Sequence, residues 1–547
     1  MVDHNIAGAL QKVAAEQSDQ VALVTGRDGS YQQWNFKEVE ANSNRYAATL
    51  EALAVERGDR VMLMVRPSME FICLSFALFK MGAVVILIDP GMGYKNLLRC
   101  IASVQPLVLI GIPQVQLFSR LFRKPFKTVE TRICVGPSFG LLGISLDVAI
   151  RDMGTEFTPV TTEEDELAAI IFTTGSTGPP KGVQYSHSTF FSQLQLIRDY
   201  YKIGPGDVDQ PGFPLFALFA TALGATAVIP DMDPTRPAEV DPVKFIRSLI
   251  DWKVTYSFGS PAIWNGVSNY CLERDITLPV RKILMAGAPV SGELIKRVQR
   301  IMSPKGEIHT PYGATECLPL ASITGREIQE HTWPQTRLGR GTCVGRPLPG
   351  MSIAIMMSVD GPLVDWADAV LLPPGEIGEI VAKGPVVTKT YDHNEQETRQ
   401  AKIADGSSFR HRMGDMGYLD VEGRLWFCGR KAHRVETSKG VMYTICCEAI
   451  FNEHEKVLRS ALVGVGRSGE QQPVLIVELR QKGRETQQLF GELRELAEAN
   501  ELTRRIKTFL VHPAFPVDIR HNAKIFREKL AVWAEKRLRA DSCGNGL

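Results

Sequence analysis

The sequence has neither a strong net charge nor a long uninterrupted hydrophobic run. Its 62 lysine and arginine residues balance 61 aspartate and glutamate residues, so no global electric field favours nucleic acid as a partner. Lys80 and Gly82 interrupt the most apolar stretch, residues 71–88, which predicts a buried helix followed by a buried strand and not a membrane span. Residues 1–15 lack a basic start followed by an apolar block, so we expect no signal peptide.

Paired cysteine motifs, internal repeats and low-complexity segments are also lacking. The ten cysteines include no C-x-x-C pair, and the adjacent Cys446 and Cys447 are poorly placed to bridge each other. This usage predicts reduced thiols in a cytoplasmic protein. The chain shows no solenoid period. At 547 residues it is too long for one compact core, so we expect a large and a small domain.

Helical and strand-like patterns alternate in the first half of the chain, which predicts parallel sheets covered by helices on both faces. The predicted helices are residues 36–53 and 70–81, and the predicted strands are residues 60–65, 83–88 and 107–110. From about Gly375 this pattern gives way to short strands and turns. These predict a small β-rich subdomain with strands at residues 379–382, 417–419 and 424–427.

The last part of the chain predicts a separate compact domain. Residues 429–431 form a short polar link without apolar periodicity. Beyond the link, the predicted helices are residues 448–453 and 485–500, and the predicted strands are residues 461–465 and 474–478. This α+β pattern covers about a hundred residues, which is a normal domain size. We therefore divide the chain into residues 1–429 and residues 430–547.

A loop of small hydroxylated residues and glycines follows an apolar strand in residues 168–182. Gly175 and Gly178 permit positive φ and close backbone approach, so that amide groups turn toward phosphate oxygens. Hydroxyl donors and one cation complete the loop, namely Thr173, Thr174, Ser176, Thr177 and Lys181. No G-x-x-x-x-G-K-[ST] occurs here, so the loop is not the Walker loop. The composition favours a phosphate site over a plain surface turn.

This loop resembles the signature of the acyl-adenylate-forming superfamily, which includes acyl-CoA synthetases, peptide-synthetase adenylation domains and beetle luciferases. The resemblance continues in order along nearly the whole chain. It implies an α/β fold with a large N-terminal domain of two packed, mostly parallel α/β sheets plus the small β-rich subdomain. A small, mobile C-terminal α+β domain completes the implied fold. ATP and Mg²⁺ are the implied cofactors, and a carboxylic acid activated as its acyl-AMP is the implied chemistry.

The resemblance also implies which residues contact the nucleotide. Two of the loops concerned follow predicted strands, where parallel sheets place ligand-binding groups. The implied contacts are Gly287 and Ala288 bordering the adenine, Tyr312 stacking near it with Gly313 in the same loop, Thr315 at the α-phosphate, Asp415 at the ribose and Arg430 reaching the nucleotide from the link.

Three residues make up the implied catalytic set: Lys181, Glu316 and Lys524. Glu316 resembles the residue that holds Mg²⁺, which agrees with the preference of a hard cation for carboxylate oxygen. Lys524, in residues 516–527, resembles the lysine that drives adenylation, where a positioned cation stabilises charge on the pentacoordinate phosphorus. Closure of the C-terminal domain is implied to join Lys524 to the other residues and to exclude water.

The acid is expected to be fatty. Amino-acid-activating relatives usually place an aspartate in the segment that corresponds to residues 213–220, and this chain has none there. A small residue at Ala217 would leave room near the carboxylate. The candidate residues of an apolar acyl pocket are Phe213, Phe216, Leu218, Phe219, Phe258 and Trp264. For each of them singly, ordinary core packing is the alternative.

The second half-reaction stays open between transfer to CoA and ring closure. Thioester-forming relatives commonly show G-x-x-[I/V]-x-P-x-E after the hinge, whereas residues 437–450 lack the proline and shift the glutamate by one. His433 stands where an acidic residue is frequent. The same segment and residues 229–242 resemble the β-lactone synthetases of bacterial long-chain olefin biosynthesis. In these enzymes the substrate's own 3-hydroxyl attacks the activated carbonyl, helped by a high effective molarity.

Three interpretations follow for the whole protein. The first is β-lactone formation from a long-chain 3-hydroxy acid, with enzymes of an olefin pathway as further partners. The second is a long-chain fatty acyl-CoA synthetase that uses CoA, and the third is a catalytically silent member that binds nucleotide or acyl chain. Membrane association is a separate expectation, because residues 117–127 alternate basic and apolar residues as interfacial helices do. Pro125 interrupts this short segment, so an exposed loop or a partner contact is an equal alternative, and the oligomeric state stays open.

Overall fold

The computed structural model describes residues 4–173, 179–481, 487–518 and 525–544, with Arg27 and residues 541–544 described by their backbone only. The helices in these ranges are α1 Ile6–Glu16, α2 Phe36–Ala52, α3 Met69–Met81, α4 Tyr94–Val104, α5 Pro113–Leu121, α6 Leu146–Ala149, α7 His187–Tyr201, α8 Phe216–Ala222, α9 Pro242–Asp251, α10 Pro261–Glu273, α11 Gly292–Ile301, α12 Gly325–Glu327, α13 Trp333–Arg337, α14 Glu395–Ala401, α15 Thr444–Asn452, α16 Gln487–Ala499 and α17 Arg527–Gly544.

The strands alternate with these helices in the first half of the chain and cluster in the second half. They are β1 Val21–Arg27, β2 Ser30–Asn35, β3 Arg60–Met64, β4 Val84–Leu87, β5 Val108–Gly111, β6 Thr131–Cys134, β7 Ile144–Ser145, β8 Leu167–Phe172, β9 Gly182–Ser186, β10 Val208–Asp209, β11 Thr226–Ile229, β12 Tyr256–Gly259, β13 Lys282–Met285, β14 Glu307–Ala314, β15 Cys317–Thr324, β16 Thr342–Pro347, β17 Ser352–Met356, β18 Gly378–Lys383, β19 Lys402–Asp405, β20 Ser408–Leu419, β21 Leu425–Arg430, β22 Val435–Thr437, β23 Gly440–Met442, β24 Val457–Val465, β25 Gln472–Leu479 and β26 Thr508–Val511.

Two large sheets dominate the chain up to β21. The first has the strand order β7-β6-β5-β3-β4-β8-β9 and is parallel except for the β8–β9 pair. The second has the order β17-β18-β20-β21-β16-β15-β14-β13-β12-β10-β11-β1-β2, with β19 paired to β20. It is parallel from β1 through β11, β10, β12 and β13 to β14, and antiparallel beyond. The mostly parallel α/β architecture is confirmed.

One hydrophobic core joins the two sheets through the helices between them. It contains buried residues of the first sheet, such as Val61 and Val85, and of the second sheet, such as Leu23 and Ala227. Helices α1, α2, α3, α7 and α8 also contribute side chains to this core. Because these helices bury apolar side chains against both sheets, they fix the position of one sheet relative to the other. A site formed by residues of both sheets requires this.

The β-rich part of the chain is continuous with the second sheet, a feature that the sequence pattern did not indicate. Strand β16 pairs with β15 on one side and with β21 on the other. Two strands that precede Gly375, β16 and β17, therefore belong to this part. An unpaired β15 edge would leave backbone donors and acceptors free, and β16 satisfies them.

The predicted buried helix and strand at residues 71–88 are confirmed as α3 and β4. Ser68 caps the helix by accepting from the Phe71 amide, and Gly82 ends it in the left-handed conformation, with φ 71°, which glycine adopts without strain. Lys80 fits this buried helix because its ammonium group lies 2.6 Å from a Glu40 carboxylate oxygen on α2, and a buried charge needs such a partner. Within the described ranges, no helix combines the length and apolarity that a bilayer crossing needs.

The chain beyond β21 forms a third sheet, β24-β25-β26, packed with α15, α16 and α17. The predicted helices and strands of this part are found within a few residues of their expected ends. The predicted link is partly wrong, because Gly429 and Arg430 still belong to strand β21, where they pair with Met416 and Asp415. The chain leaves the sheet at Lys431, so a division of the protein near residue 430 remains a prediction.

Candidate active site

A cavity of about 2140 Å³ is lined by both large sheets and by the C-terminal part. Its wall contains most of the predicted site residues, which are Thr173, Lys181, Phe216, Phe219, Phe258, Gly287, Ala288, Tyr312, Gly313, Thr315, Glu316, Asp415 and Arg430. Strands β8, β13 and β14 of the two sheets end at this cavity, which agrees with the expected placement of loops after strands. Thr174, Gly175, Ser176, Thr177, Gly178 and Lys524 lie outside the described residues.

Thr173 and Lys181 hold the two ends of the predicted phosphate loop together. The Thr173 amide donates to the Lys181 carbonyl at 2.9 Å, and the Lys181 amide donates to Thr173 Oγ1 at 3.3 Å. The Lys181 ammonium group forms an ion pair with Glu397 and lies 5.1 Å from the centre of the Tyr391 ring. An ammonium group at this position is a suitable point charge for a polyphosphate.

Glu316 is oriented by Tyr391. The Tyr391 hydroxyl donates to Glu316 Oε1 at 2.6 Å. Burial and the Glu316 charge raise the pKa of Tyr391, so this hydroxyl stays protonated and keeps donating. The Glu316 carbonyl in turn accepts from the Thr388 amide at 2.9 Å, which fixes the backbone. A carboxylate held in one orientation is a suitable cation ligand.

The chemistry of the donor set fits Mg²⁺ in one particular way. Among the described residues, no group of three or more His, Cys, Asp or Glu side chains could hold a metal ion. Glu316 therefore offers one hard oxygen ligand at the cavity wall, without a protein cage around it. Mg²⁺ is commonly bound in this manner, through one or two carboxylates with substrate phosphates and water as the other ligands.

Tyr312, Asp415 and Arg430 form a second polar group on the wall. The Tyr312 hydroxyl donates to Asp415 Oδ2 at 2.5 Å, and Arg430 Nη1 lies 3.0 Å from Asp415 Oδ1. Burial and the Asp415 charge raise the pKa of Tyr312, and the same charge raises the pKa of Arg430. Asp415 is thus a paired carboxylate in a buried place. Its two oxygens offer about four acceptor sites, which leaves capacity for ribose hydroxyls.

Four further side chains beside these groups were not predicted from the sequence: Tyr185, Tyr391, Glu397 and Lys402. The Tyr185 hydroxyl donates to the Thr315 carbonyl. Lys402 donates to the Thr388 carbonyl, and burial lowers its pKa to about 8 against the opposing effect of Glu316. No local pattern marks these residues. Tyr391 and Glu316 are 75 residues apart, and Lys181 and Glu397 are 216 residues apart.

The aromatic side of the cavity is built by α8 and β12. The rings of Phe216 and Phe258 stack with centres 3.8 Å apart and planes 17° apart, and the centre of the Phe219 ring lies 6.0 Å from that of Phe216. Residues three apart share a helix face, which explains why Phe216 and Phe219 both reach the cavity. Ala217 lies on another face of α8, is fully buried in the core and is absent from the cavity wall.

The other aromatic and aliphatic candidates divide in the same way. Phe213 lines the cavity, whereas Leu218 and Trp264 are buried in the two cores and do not reach it. For these two residues, core packing is the correct interpretation.

The C-terminal part contributes His433, Thr444, Ile445, Ile525 and Arg527 to the wall. Burial, Arg527 and Arg430 lower the pKa of His433 to about 3, so its imidazole is neutral. Arg527 forms two bonds to Glu448, of 3.0 and 2.6 Å. Glu448 also accepts from the Leu462 amide at 2.9 Å. This glutamate, the one shifted in sequence, is therefore engaged inside the C-terminal part.

These features define a nucleotide-binding cavity with an apolar extension, and the comparison with known proteins agrees with them. The chain belongs to the AMP-binding enzyme family, whose model matches residues 10–392. It is an acyl-adenylate-forming enzyme that uses ATP.

The similarity to individual proteins extends over the whole chain. The chain is 45% identical to the olefin beta-lactone synthetase of Xanthomonas campestris pv. campestris, over 97% of this chain and 98% of that protein. It is 44% identical to the olefin beta-lactone synthetase of Stenotrophomonas maltophilia, over 98% of each. Among solved structures, ATP-bound MatB from Rhodopseudomonas palustris is similar in fold, with a TM-score of 0.78 and 20% identity over 98% of this chain and 99% of that chain.

Proposed function

We propose that this protein activates a long-chain 3-hydroxy fatty acid with ATP and closes the acyl-AMP to a β-lactone, releasing AMP. The continuity of one cavity carries the proposal: nucleotide-binding groups around Lys181 and Glu316 share it with the apolar wall around Phe216 and Phe258. A single space of this kind suits an acid whose carboxylate reaches the phosphates while its chain lies among aromatic rings. The similarity to two olefin beta-lactone synthetases supports the second step.

In the first step, a carboxylate oxygen of the acid attacks the α-phosphorus of ATP and pyrophosphate leaves. Lys181 would face the polyphosphate, and Glu316, oriented by Tyr391, would hold the Mg²⁺ that neutralises phosphate charge. Asp415 would accept hydrogen bonds from the ribose, with Tyr312 and Arg430 fixing its position. Preorganised charges of this kind stabilise the transition state because they need no reorganisation during the reaction.

Residues 430–547 are proposed to act as a hinged cap that carries Lys524. Two residues close to Lys524 in sequence, Ile525 and Arg527, line the cavity, which supports an approach of this segment to the phosphates. The predicted hinge follows β21, and Lys431 ties it to the large part by a bond of 2.9 Å to Glu379. Closure would keep water from the acyl-AMP, a mixed anhydride that hydrolyses readily.

In the second step, the 3-hydroxyl oxygen bonds to the carbonyl carbon, the bond from that carbon to the phosphate oxygen breaks, and AMP leaves. The hydroxyl proton needs an acceptor, and His433 is our candidate because its neutral, buried imidazole lies in the cavity wall with Nε2 lacking a hydrogen-bond partner among the described residues. Burial first, and then the field of Arg527 and Arg430, lowers the pKa of His433, and the phosphate of the acyl-AMP would counter the arginine field.

One assay separates this proposal from its alternatives. Purified protein, ATP and Mg²⁺ are incubated with a long-chain 3-hydroxy acid, with and without CoA, and products are identified by mass spectrometry. Lactone and AMP without CoA support the proposal, whereas an acyl-CoA product that requires CoA would assign the protein to thioester formation. Absence of ATP–pyrophosphate exchange with a panel of acids would identify a silent member.

Two matched controls show where the reaction stops. The same acid without its 3-hydroxyl should support ATP–pyrophosphate exchange and yield no lactone. His433→Gln should retain exchange and slow lactone release by about 100-fold or more, the usual contribution of a general base. Equal loss of both activities in this variant would show that His433 acts on folding or on adenylation.

A further inference from the structure

One stretch of the chain, at the β5-β6-β7 edge of the first sheet, exposes apolar side chains to an unusual degree. Of the 23 large hydrophobic residues exposed within the described part of the chain, nine fall in residues 94–148. They are Tyr94, Leu107, Leu117, Leu121, Phe122, Phe139, Leu141, Ile144 and Val148. Single exposed apolar residues are normal, but such a concentration marks a contact surface.

Helix α5 has apolar side chains on two sides, because Val115 and Phe118 pack against a core of the first sheet while two leucines face outward. Its buried residues are the polar Gln116 and Ser119, whereas Leu117 and Leu121 are 63% and 74% exposed. Gln116 holds the helix in this orientation, because its Nε2 donates to the Ile133 carbonyl of β6 at 2.8 Å. A helix in water normally turns leucines inward, so this arrangement indicates that an apolar phase meets the outer face.

A second exposed segment begins beside α5, where a Cβ built on Gly136 would lie 3.9 Å from Pro113. In the loop between β6 and β7, Phe139 and Leu141 are 77% and 71% exposed. Phe139 has a φ of 50°, in the left-handed region that is uncommon for a bulky residue. Burial within the described part of the chain therefore does not account for the positions of these two side chains.

The positive charge of this surface favours an anionic partner. Residues 90–129 contain six basic residues and no acidic residue, and residues 130–148 add Arg132, Glu130 and Asp147, so the region is basic although the whole chain has a net charge of only +1. The six basic residues are Lys95, Arg99, Arg120, Arg123, Lys124 and Lys127. Arg120 and Arg123 lie close enough to Arg132 that, together with burial, they lower its pKa. Basic residues interleaved with exposed apolar residues are typical of surfaces that bind anionic lipid.

The same segments also form part of the cavity wall. Ile112, which precedes α5, and Val115 in its first turn line the cavity, as do Val135 and Gly136 at the start of the β6–β7 loop. The segments that carry the exposed apolar residues therefore also contribute side chains to one side of the cavity. A long-chain acid could pass between the exposed surface and the cavity with little contact with water.

We propose that the surface of residues 94–148 seats on an anionic lipid layer and that the acid enters the cavity from there. The seating itself does not depend on the proposed reaction. Only the identity of the entering molecule as a fatty acid rests on the proposed function.

Vesicle co-sedimentation tests the seating without any substrate. The wild-type protein is mixed with phosphatidylcholine vesicles with and without phosphatidylglycerol, at low and high salt. Leu117→Ser/Leu121→Ser removes apolar contacts, and Arg120→Glu/Arg123→Glu/Lys124→Glu reverses charge. Leu338→Ser/Val421→Ser is the matched control, since these residues are comparably exposed elsewhere. Thermal unfolding of each variant checks that the fold is retained.

Wild type and control are expected to sediment with anionic vesicles, and binding should weaken as salt increases. Each test variant should lower the partition coefficient by at least about 100-fold, because two leucines or three basic charges each contribute on that scale. Wild-type protein that stays in solution, or test variants that bind as well as wild type, would overturn the proposal. Self-association that is lost in Leu117→Ser/Leu121→Ser, without vesicle binding, would instead assign the surface to a second copy of this chain.

Discussion

The substitution Tyr391→Phe isolates the orientation of Glu316 from every other feature of the site. It removes only the hydroxyl that donates to Glu316 Oε1 at 2.6 Å. The phenylalanine ring would stay beside Lys181, whose ammonium group lies 5.1 Å from the ring centre, so the cation–π contact is kept. Any change in activity then reports on the hydrogen bond to the carboxylate.

Two independent magnitudes agree on the expected size of the effect. A hydrogen bond to a charged group contributes about 1.5–3 kcal/mol. Loss of a partner that orients a metal-holding carboxylate typically costs about 10–100-fold in metal affinity or activity, and tenfold corresponds to about 1.4 kcal/mol. Because Tyr391 is buried, water cannot easily replace the lost donor. We therefore expect kcat/KM for ATP to fall by about 10–100-fold in Tyr391→Phe.

ATP–pyrophosphate exchange, measured over a range of free Mg²⁺ concentrations, is the assay for this variant. The Mg²⁺ concentration at half-maximal rate should rise together with the loss of activity. Tyr31→Phe is the control, since it removes a hydroxyl that donates to Asp251 at 2.9 Å on the surface. Activity of Tyr391→Phe within about twofold of wild type, or a loss without any change in Mg²⁺ dependence, would refute the assignment of Glu316 as the metal-holding residue.

Three other predictions test the remaining parts of the molecule. Lys524→Ala should slow pyrophosphate exchange by orders of magnitude with little change in KM for ATP, because the lysine acts on transition-state charge; an equal loss of ATP binding would show a ground-state contact. Phe258→Ala removes a ring shared by the large cavity and a smaller one of about 40 Å³, so kcat/KM across a chain-length series should shift toward longer chains by about fourfold per accommodated methylene. Arg412→Met should destabilise the fold by about 3–5 kcal/mol in urea titration, because it removes two bonds to the buried Glu379 and three to the carbonyls of Val359, Gly361 and Gln400. Lys431→Met leaves both Arg412 bonds to Glu379 and should cost about 1 kcal/mol; similar losses would contradict this ranking.

The residues that line the nucleotide side of the cavity were predictable because they occur in short contiguous motifs. Gly287 and Ala288 follow β13, and the second motif spans the end of β14, with Tyr312 in the strand and Thr315 and Glu316 after it. The predicted loop therefore begins later than expected, but parallel sheets still bring both segments to one edge. The order of these motifs along the chain was therefore enough to predict that they meet. Phe216 and Phe258 were also predicted, although the sequence could not separate cavity from core for Leu218 and Trp264.

Ala217 shows why a position in a motif is a weaker guide on a helix than in a loop. Its neighbours Phe216 and Phe219 reach the cavity, but a step of one residue along α8 turns the side chain by more than a quarter of a turn. The direction of α8 against the sheets decides which residue faces the substrate space. That direction depends on packing with the core, which no local pattern encodes.

Short motifs at strand ends and local periodicity were sufficient to predict the class of enzyme, the mostly parallel α/β architecture and the nucleotide-binding loops. The packed fold was needed to show that Tyr391 orients Glu316, that Glu397 pairs with Lys181 and that α5 turns its leucines outward. Each of these depends on contacts between segments that are distant along the chain. The packing of whole helices and strands determines such contacts, so they cannot be predicted from the residues adjacent in sequence.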